Sequence, residues 1–294
     1  MKKISIIASA AAMLFSSAAS GQVLFKVEKQ GSDKVSYVLG THHFAPLSAV
    51  DSIPELPSII RNADKVYGEI DMNSMGNPET IMAIQKQAMA PSDSTLSLLL
   101  TPAQIDSLTT TWTKYGNDEN QLKIMISMLK PAVISTQLAA SMAARVLPSL
   151  NPMEGIDATM QTRAREAGKQ VEGLETMEYQ LGIIYGQPIS EQLESLMNTV
   201  ADEENEGRKA IELANAYTSH DIQKLYDLIA EEEDNNPETL ERILFHRNDN
   251  WVKILKAELP EKSLMVVVGA GHLPGERGIL ESLRKAGYTI TPVN

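Results

Sequence analysis

Cysteine is absent from all 294 residues of this chain. Its absence excludes disulfide bonds, thiolate metal ligands, a cysteine nucleophile and a lipid-modified N-terminal cysteine. Any metal site must therefore use nitrogen and oxygen ligands, for which histidine and carboxylate side chains are the first choices.

Positive charge is scarce as well. Lysine and arginine number 26 against 38 aspartates and glutamates, and the formal net charge is −12. Because such acidity repels phosphate backbones and anionic membranes, we expect no nucleic-acid partner. The hydrophobic fraction of 43% is enough for one large core or two small ones.

Three catalytic signatures are missing. The sequence has no Gly-x-Ser-x-Gly elbow, which argues against a serine hydrolase. It has no Gly-x-x-x-x-Gly-Lys-Ser/Thr loop for binding phosphate and no His-Glu-x-x-His helix. A metal-dependent enzyme built from this chain would therefore not be a standard zincin.

Residues 1–20 read as a secretory signal peptide. Lys2 and Lys3 precede an apolar run from Ile4 to Phe15, and small residues follow at 18–21. The run is shorter than the roughly 20 residues that a membrane span needs, so an uncleaved anchor is the less favoured interpretation. We expect an exported protein without an integral membrane span, periplasmic or secreted, with residues 21–294 forming a single domain.

Two Gly-x-x-His segments lie near opposite ends of the mature chain. An apolar run of five residues leads into Gly269-Ala270-Gly271-His272, and a shorter run leads into Gly40-Thr41-His42-His43. Each run is typical of a buried strand, and each is followed by a helical pattern and another short strand. A histidine in such a loop can simply cap the next helix. The repetition favours the alternative, in which His43 and His272 face one crevice.

The middle of the chain is mostly helical in pattern. A helical insertion or lid is expected over residues 76–150, and Thr101-Pro102-Ala103-Gln104 is a good helix start. We predict that the sheet resumes at residues 151–157 and again at 170–175, before a helix capped by Thr176. The fold class expected is therefore α/β, with a mixed sheet built from the N- and C-terminal β-loop-α-β units.

A series of short motifs runs through the mature chain in a fixed order. They are Leu39-Gly40-Thr41-x-His43, Gly68-Glu69-Ile70-Asp71, Gly155-Ile156-Asp157, Gly173-Leu174-Glu175-Thr176 with Gln180, Arg247-Asn248 with Trp251, and Val268-Gly269-Ala270-Gly271-His272-Leu273-x-Gly275. Together they resemble the TraB/GumN family, whose relatives include the Tiki metalloproteases. The resemblance implies a shared α/β fold, a divalent-metal site formed by the Gly-x-x-His pair and an acid, and hydrolase activity.

As chemistry, these residues form a coherent set. His43, His272 and Glu69 are the expected metal ligands, and Zn, Mn or Co all suit nitrogen and oxygen donors. The expected reaction is hydrolysis of a peptide bond, or secondly an ester, by water activated on the metal. A second acid, Glu175 or Asp71, is expected to orient a ligand or to serve as general base, and Arg247 is the candidate oxyanion stabiliser.

Each of these residues also has a structural interpretation. Glu69 can form a salt bridge or lie at an exposed strand end, Arg247 can bind a carboxylate, and His42 is expected either to be structural or to support a ligand residue. The alternative function is a non-catalytic protein that binds a metal or haem through the same histidines, and a third is a silent scaffold. The sequence leaves the substrate, the metal and the oligomeric state open.

Overall fold

Strand-forming segments from both ends of the chain meet in one sheet. The structure is a computed structural model that describes residues 22–147, 155–233 and 237–293. The predicted signal peptide lies outside these residues. Within them, six strands form a single sheet in the order β4-β3-β5-β2-β1-β6. The strands are β1 Leu24–Glu28, β2 Val35–Thr41, β3 Lys65–Gly68, β4 Gln170–Gly173, β5 Leu264–Gly269 and β6 Thr289–Pro292.

Strand β5 occupies the middle of the sheet because its residues are apolar on both faces. It pairs in parallel with β2 on one side and with β3 on the other, and β3 pairs in parallel with β4. Met265 and Val267 enter one core, whereas Val266 and Val268 enter the core on the opposite face. Strand β1 runs antiparallel to both β2 and β6. The mixed α/β sheet predicted from the sequence is therefore confirmed.

Helices cover both faces of the sheet and form an additional layer beside it. Their bounds are α1 Ser48–Asp51, α2 Leu56–Asn62, α3 Pro78–Ala88, α4 Leu96–Leu99, α5 Pro102–Lys114, α6 Glu119–Met128, α7 Pro131–Val146, α8 Ile156–Glu166, α9 Met177–Ile184, α10 Ile189–Ala201, α11 Glu203–Thr218, α12 Ile222–Glu233, α13 Pro237–Leu240, α14 His246–Glu258 and α15 Ile279–Lys285. Two 3-10 turns, Met72–Gly76 and Ala270–His272, and one π-helical turn, Glu241–Phe245, complete the described elements.

The two faces of the sheet bury different helices. Helices α2 and α8 supply Ile59, Ile60 and Met160 to one core. Helices α14 and α15 supply Trp251 and Leu283 to the other. None of the helices in the described residues is both long and apolar enough to cross a membrane.

The helical stretch after β3 has a core of its own. Leu108, Trp112, Leu138 and Leu196 are fully buried in this third cluster, and Leu196 belongs to α10 rather than to the 76–150 stretch. Helix α5 begins with the predicted capping box between Thr101 and Gln104. The helical layer thus recruits a later helix, and its action as a lid stays a prediction.

The prediction that the sheet resumes at residues 151–157 is wrong where the structure describes them. Residues 151–154 lie outside the described part, but Gly155 is the N-cap of α8 and Ile156 is its first residue. Ile156, Met160 and Ala164 are buried at helical spacing, and Asp157 lies in the first turn, where the helix dipole favours an acid. This segment is therefore a helix, because its apolar residues are buried at helical spacing.

Candidate functional site

The carboxyl ends of four parallel strands bring the predicted site residues to one edge of the sheet. Thr41 of β2 pairs with Gly269 of β5, so the loops that contain His43 and His272 are neighbours. Glu69 follows β3 directly. Glu175 lies two residues beyond β4, and its N–H donates to the carbonyl oxygen of Glu69 at 2.9 Å. Such an edge is where ligands bind in open α/β sheets.

Glu69 is a buried carboxylate that is fully supplied with donors. Its Oε1 accepts from the backbone N–H of Gly269 at 2.7 Å, and its Oε2 accepts from Nε2 of Gln180 at 2.9 Å and from Nη2 of Arg247 at 2.5 Å. Burial alone would raise the pKa of Glu69, but the charge of Arg247, with that of His43 and the hydrogen bond from Gly269, outweighs it and lowers the pKa to about 2. Glu69 is therefore ionised at any physiological pH.

Glu175 is the second carboxylate on the same guanidinium. Oε1 accepts from Nε of Arg247 at 3.0 Å and from Nη2 at 2.7 Å, and Oε2 accepts from Nε1 of Trp251 at 3.0 Å. Burial, aided by the charge of Glu69, raises the pKa of Glu175 despite these donors. Of the two acids, Glu175 is thus the one that exchanges a proton more readily.

Arg247 uses all of its N–H groups inside this cluster. Besides its bonds to Glu69 and Glu175, Nη1 donates to the carbonyl oxygen of Ile243 at 3.0 Å and lies 3.0 Å from Nε2 of His272. A guanidinium has five N–H donors, and these five contacts account for them. In this structure Arg247 holds two carboxylates and an imidazole in place, and its action as an oxyanion stabiliser stays a prediction.

His272 is buried, and Arg247 and Asn248 determine which of its ring nitrogens carries the hydrogen. Nε2 faces a donor, Arg247, so it must accept, and Nδ1 then donates to Oδ1 of Asn248 at 2.7 Å. Nδ2 of Asn248 donates to the backbone oxygens of His272 and Arg277, which orients the amide. Burial, with the charges of Arg247 and His43, lowers the pKa of His272 to about 3 although Glu69 opposes the shift. The imidazole is neutral.

His43 differs because its side chain is 71% exposed. Its Nδ1 lies 3.2 Å from Oδ2 of Asp157, whose Oδ1 accepts from Oγ1 of Thr41 at 2.7 Å. The hydrogen bond to Asp157 and the charge of that carboxylate raise the pKa of His43. His43 therefore forms the solvent-facing part of the site.

The buried part of the site has an excess of negative charge. One guanidinium, that of Arg247, faces the two carboxylates of Glu69 and Glu175, and His272 is neutral. Buried charge that is not matched by a partner is costly. This cluster therefore attracts a proton or a cation.

Two of the three predicted metal ligands, His272 and Glu69, lie close enough to share one ion. Nε2 of His272 and Oε1 of Glu69 are 3.8 Å apart, close to the roughly 3.4 Å between two ligand atoms each about 2.1 Å from one tetrahedral ion. His43 and His272 each engage Nδ1 with an acceptor, as ligating histidines do. In the described residues, however, no three histidine, aspartate or glutamate side chains are grouped closely enough to hold an ion. Because Arg247 occupies Nε2 of His272, ligation there requires that contact to be released.

Several residues singled out in the sequence lie away from this cluster or support it indirectly. Asp71, the alternative acid, caps the 3-10 turn that follows it and pairs with Arg165. His42 packs against the rings of Phe44 and Tyr217, in agreement with a structural role.

Sequence reasoning missed four residues that complete the site. They are Asp157, Asn248, Gln180 and Trp251. All four belong to the short motifs quoted above, so the signal was their position in those motifs. Their partners were not evident, since the contacts join residues between 24 and 114 positions apart.

Comparison with known proteins gives one match. The model of the TraB/PrgY/gumN family matches residues 23–292, a range that includes every strand and every residue of the site. No curated protein and no solved structure matches the chain.

Proposed function

This chain belongs to the TraB/PrgY/gumN family, and from that premise we propose that it is an exported, metal-dependent hydrolase that acts on peptide bonds. The observation that supports the proposal most is the pairing of a neutral, buried His272 with an ionised Glu69 next to the loop of His43. Two imidazoles and a carboxylate form a common catalytic ligand set for a divalent ion.

In this proposal His43, Glu69 and His272 hold the ion, with Zn, Mn and Co as candidates. When bound, the ion acts as a Lewis acid and lowers the pKa of water. Asn248 orients the imidazole of His272 through Nδ1. The negative excess of the buried cluster favours the binding of a cation.

Glu175 and Arg247 act around the ligands rather than as ligands. Since burial raises the pKa of Glu175, this carboxyl is better suited than Glu69 to hold or pass a proton. Arg247 ties Glu175 to Glu69 and thereby keeps both acids at the carboxyl edge of the sheet. An ester is the second substrate class, because it presents a carbonyl of similar geometry to attacking water.

Metal analysis of the mature protein is the decisive experiment. The wild type should retain about one divalent ion per chain, and a His43→Ala, His272→Ala double variant should lose it. His246→Ala removes an exposed histidine outside the site and is the matched control. Equal metal in all three proteins would rule out the site. Where metal is retained, cleavage of a peptide library with and without a chelator tests for hydrolysis.

The proposed export has its own test. Expression of the full chain in a bacterial host, followed by fractionation and N-terminal sequencing, should yield a periplasmic or secreted protein that lacks about the first 20 residues. A cytoplasmic product with an intact N-terminus would contradict export without affecting the metal site.

A second candidate is a protein that binds a metal or haem without turnover. Every N–H group of Arg247 already has a polar partner, so the guanidinium has no donor left for a reaction oxyanion. This supports the second candidate. His43 is the exposed candidate ligand for haem iron. A strong visible band on haem titration that is lost in His43→Ala, together with no chelator-sensitive cleavage, would favour this candidate.

A further inference from the structure

A partly buried carboxylate, that of Asp157, connects the exposed histidine of the site to helix α8. Asp157 contacts His43 through Oδ2 and Thr41 through Oδ1, at 3.2 and 2.7 Å. Its side chain is only 17% exposed, in contrast to that of His43. Because each oxygen has a different partner, the carboxylate cannot rotate without losing the bond to Thr41. The histidine thus rests on a fixed acceptor.

The chemistry of this contact determines which nitrogen of His43 is free. An ionised carboxylate only accepts hydrogen bonds, so Nδ1 of His43 carries the hydrogen that Asp157 receives. In the neutral imidazole Nε2 then carries no hydrogen and is the nitrogen that can bind a ligand, whereas the imidazolium would first have to lose the proton from Nε2. A histidine held in this way has the arrangement typical of metal ligands, whose other ring nitrogen donates to a carboxylate.

We infer that Asp157 is a positioning residue that orients His43 for ligand binding through Nε2, and that Thr41 holds Asp157 in the required rotamer. This inference rests on the proposed function. Asp157 itself touches neither the substrate nor the ion. In a purely structural role, it would instead tie α8 to β2 through Thr41, and its contact with His43 would have no effect on ligands.

The first test needs no metal. In the full mature protein labelled with ¹⁵N-histidine, Nδ1 of His43 should give a hydrogen-bonded N–H signal protected from exchange. Asp157→Ala should lose this protection, and Asp157→Asn, whose amide oxygen can still accept, should keep part of it. Ring-nitrogen signals of His43 that are the same in wild type and Asp157→Ala would overturn the inference.

The second test is a calorimetric titration of the protein with Zn²⁺ alone. Removing an outer carboxylate that orients a metal-bound histidine costs about 10–100-fold in metal affinity. Asp157→Ala should show a loss of that size, and Thr41→Val a smaller one in the same direction. Asp51→Asn is the matched control, because it breaks the 2.7 Å ion pair to Arg163 of α8 without touching His43. It should bind Zn²⁺ as the wild type does.

The outcomes separate the inference from the proposed function. Unchanged Zn²⁺ affinity in both Asp157 variants would overturn the positioning role, whereas an equal loss in Asp51→Asn would show that only the attachment of α8 matters. If Asp157→Ala does not fold, Asp157→Asn decides by the same two measurements. A wild type that binds no Zn²⁺, Mn²⁺ or Co²⁺ would contradict the proposed function, and the ring signals would still decide how His43 is held.

Discussion

Nη1 of Arg247 lies 3.0 Å from Nε2 of His272, the ring nitrogen that the proposed metal site requires. The same guanidinium binds Glu69 and Glu175, so one cation contacts both buried carboxylates and the imidazole at the centre of the site. The guanidinium carries one positive charge and can neutralise only one of the two carboxylates. A change at Arg247 therefore affects both the stability of the fold and the charge of the site.

Replacing Arg247 with alanine should destabilise the protein strongly. Glu69 and Glu175 would remain buried without their counterion, and breaking a buried pair in this way costs about 3–5 kcal/mol. Arg277→Ala is the control, because Arg277 also binds two acids but is 39% exposed; exposed ion pairs contribute about 0–1 kcal/mol. Urea unfolding at pH 7 measures both variants. Similar free energies of unfolding in the two would contradict the assigned role of Arg247.

Gly173→Ala should weaken both the fold and the site. A Cβ atom at Gly173 would lie 2.6 Å from the carbonyl oxygen of Glu175 and 2.8 Å from the backbone nitrogen of Asp71. The strand ends that place Glu69 beside Glu175 would have to separate, at a cost of about 1–3 kcal/mol. Gly76→Ala, where a Cβ meets nothing within 4 Å, should change little. Thermal unfolding and Zn²⁺ titration provide the two measurements, and a Gly173→Ala protein that matches Gly76→Ala in both would disprove the crowding argument.

The two tryptophans allow stability to be separated from function. Both are fully buried and both donate through Nε1, Trp251 to Glu175 and Trp112 to the backbone oxygen of Asp118, each at 3.0 Å. Replacing either with phenylalanine removes one hydrogen bond from an acceptor that keeps a second donor, Arg247 for Glu175 and the N–H of Leu122 for Asp118, and should cost about 0.5–1.5 kcal/mol for that bond. Only Trp251→Phe should also alter metal binding or hydrolysis, since Trp112 lies in the separate helical core. An equal effect of both variants on activity, at temperatures where both are folded, would show that Trp251 acts through stability alone.

His42 should make stability depend on pH between about 4 and 6.5. Burial, with the charge of His43 as a smaller cause, lowers the pKa of His42 from 6.5 to about 4, and its Nδ1 accepts from the N–H of Phe44. As the pH falls through this window the unfolded chain takes up a proton that the folded chain refuses, so the free energy of unfolding decreases.

The variant His42→Asn should reduce this pH dependence. The amide oxygen of asparagine can accept from Phe44 without titrating, so the curve of unfolding free energy against pH should become flatter between pH 6.5 and 4. Part of the slope will remain, because His272 also has a lowered pKa. Denaturant unfolding at a series of pH values is the measurement. A slope equal to that of the wild type would show that His42 is not buried in its neutral form.

Local sequence signals were sufficient for much of the fold. The run from Leu264 to Val268 is apolar at every position and could serve only where both faces are covered, and it forms the central strand. The start of α5 is also encoded locally, because its capping box and N-terminal proline come from residues within one turn, Thr101, Pro102 and Gln104. The strand predicted for residues 155–157 was wrong for a physical reason. A short segment that follows proline and glycine has the local pattern of a strand, but the burial of Ile156 depends on packing against residues that are distant in the sequence.

The site divides in the same way. By itself the sequence determined that two histidines and an acid follow the ends of apolar strands, because strand periodicity and glycine turns are properties of neighbouring residues. The tertiary structure decided which groups touch: Arg247 with Glu69, 178 residues apart, and His43 with Asp157, 114 residues apart. Those contacts follow from the strand order β4-β3-β5-β2, and no local pattern encodes that order, because it results from the joint burial of surfaces that are far apart in the chain.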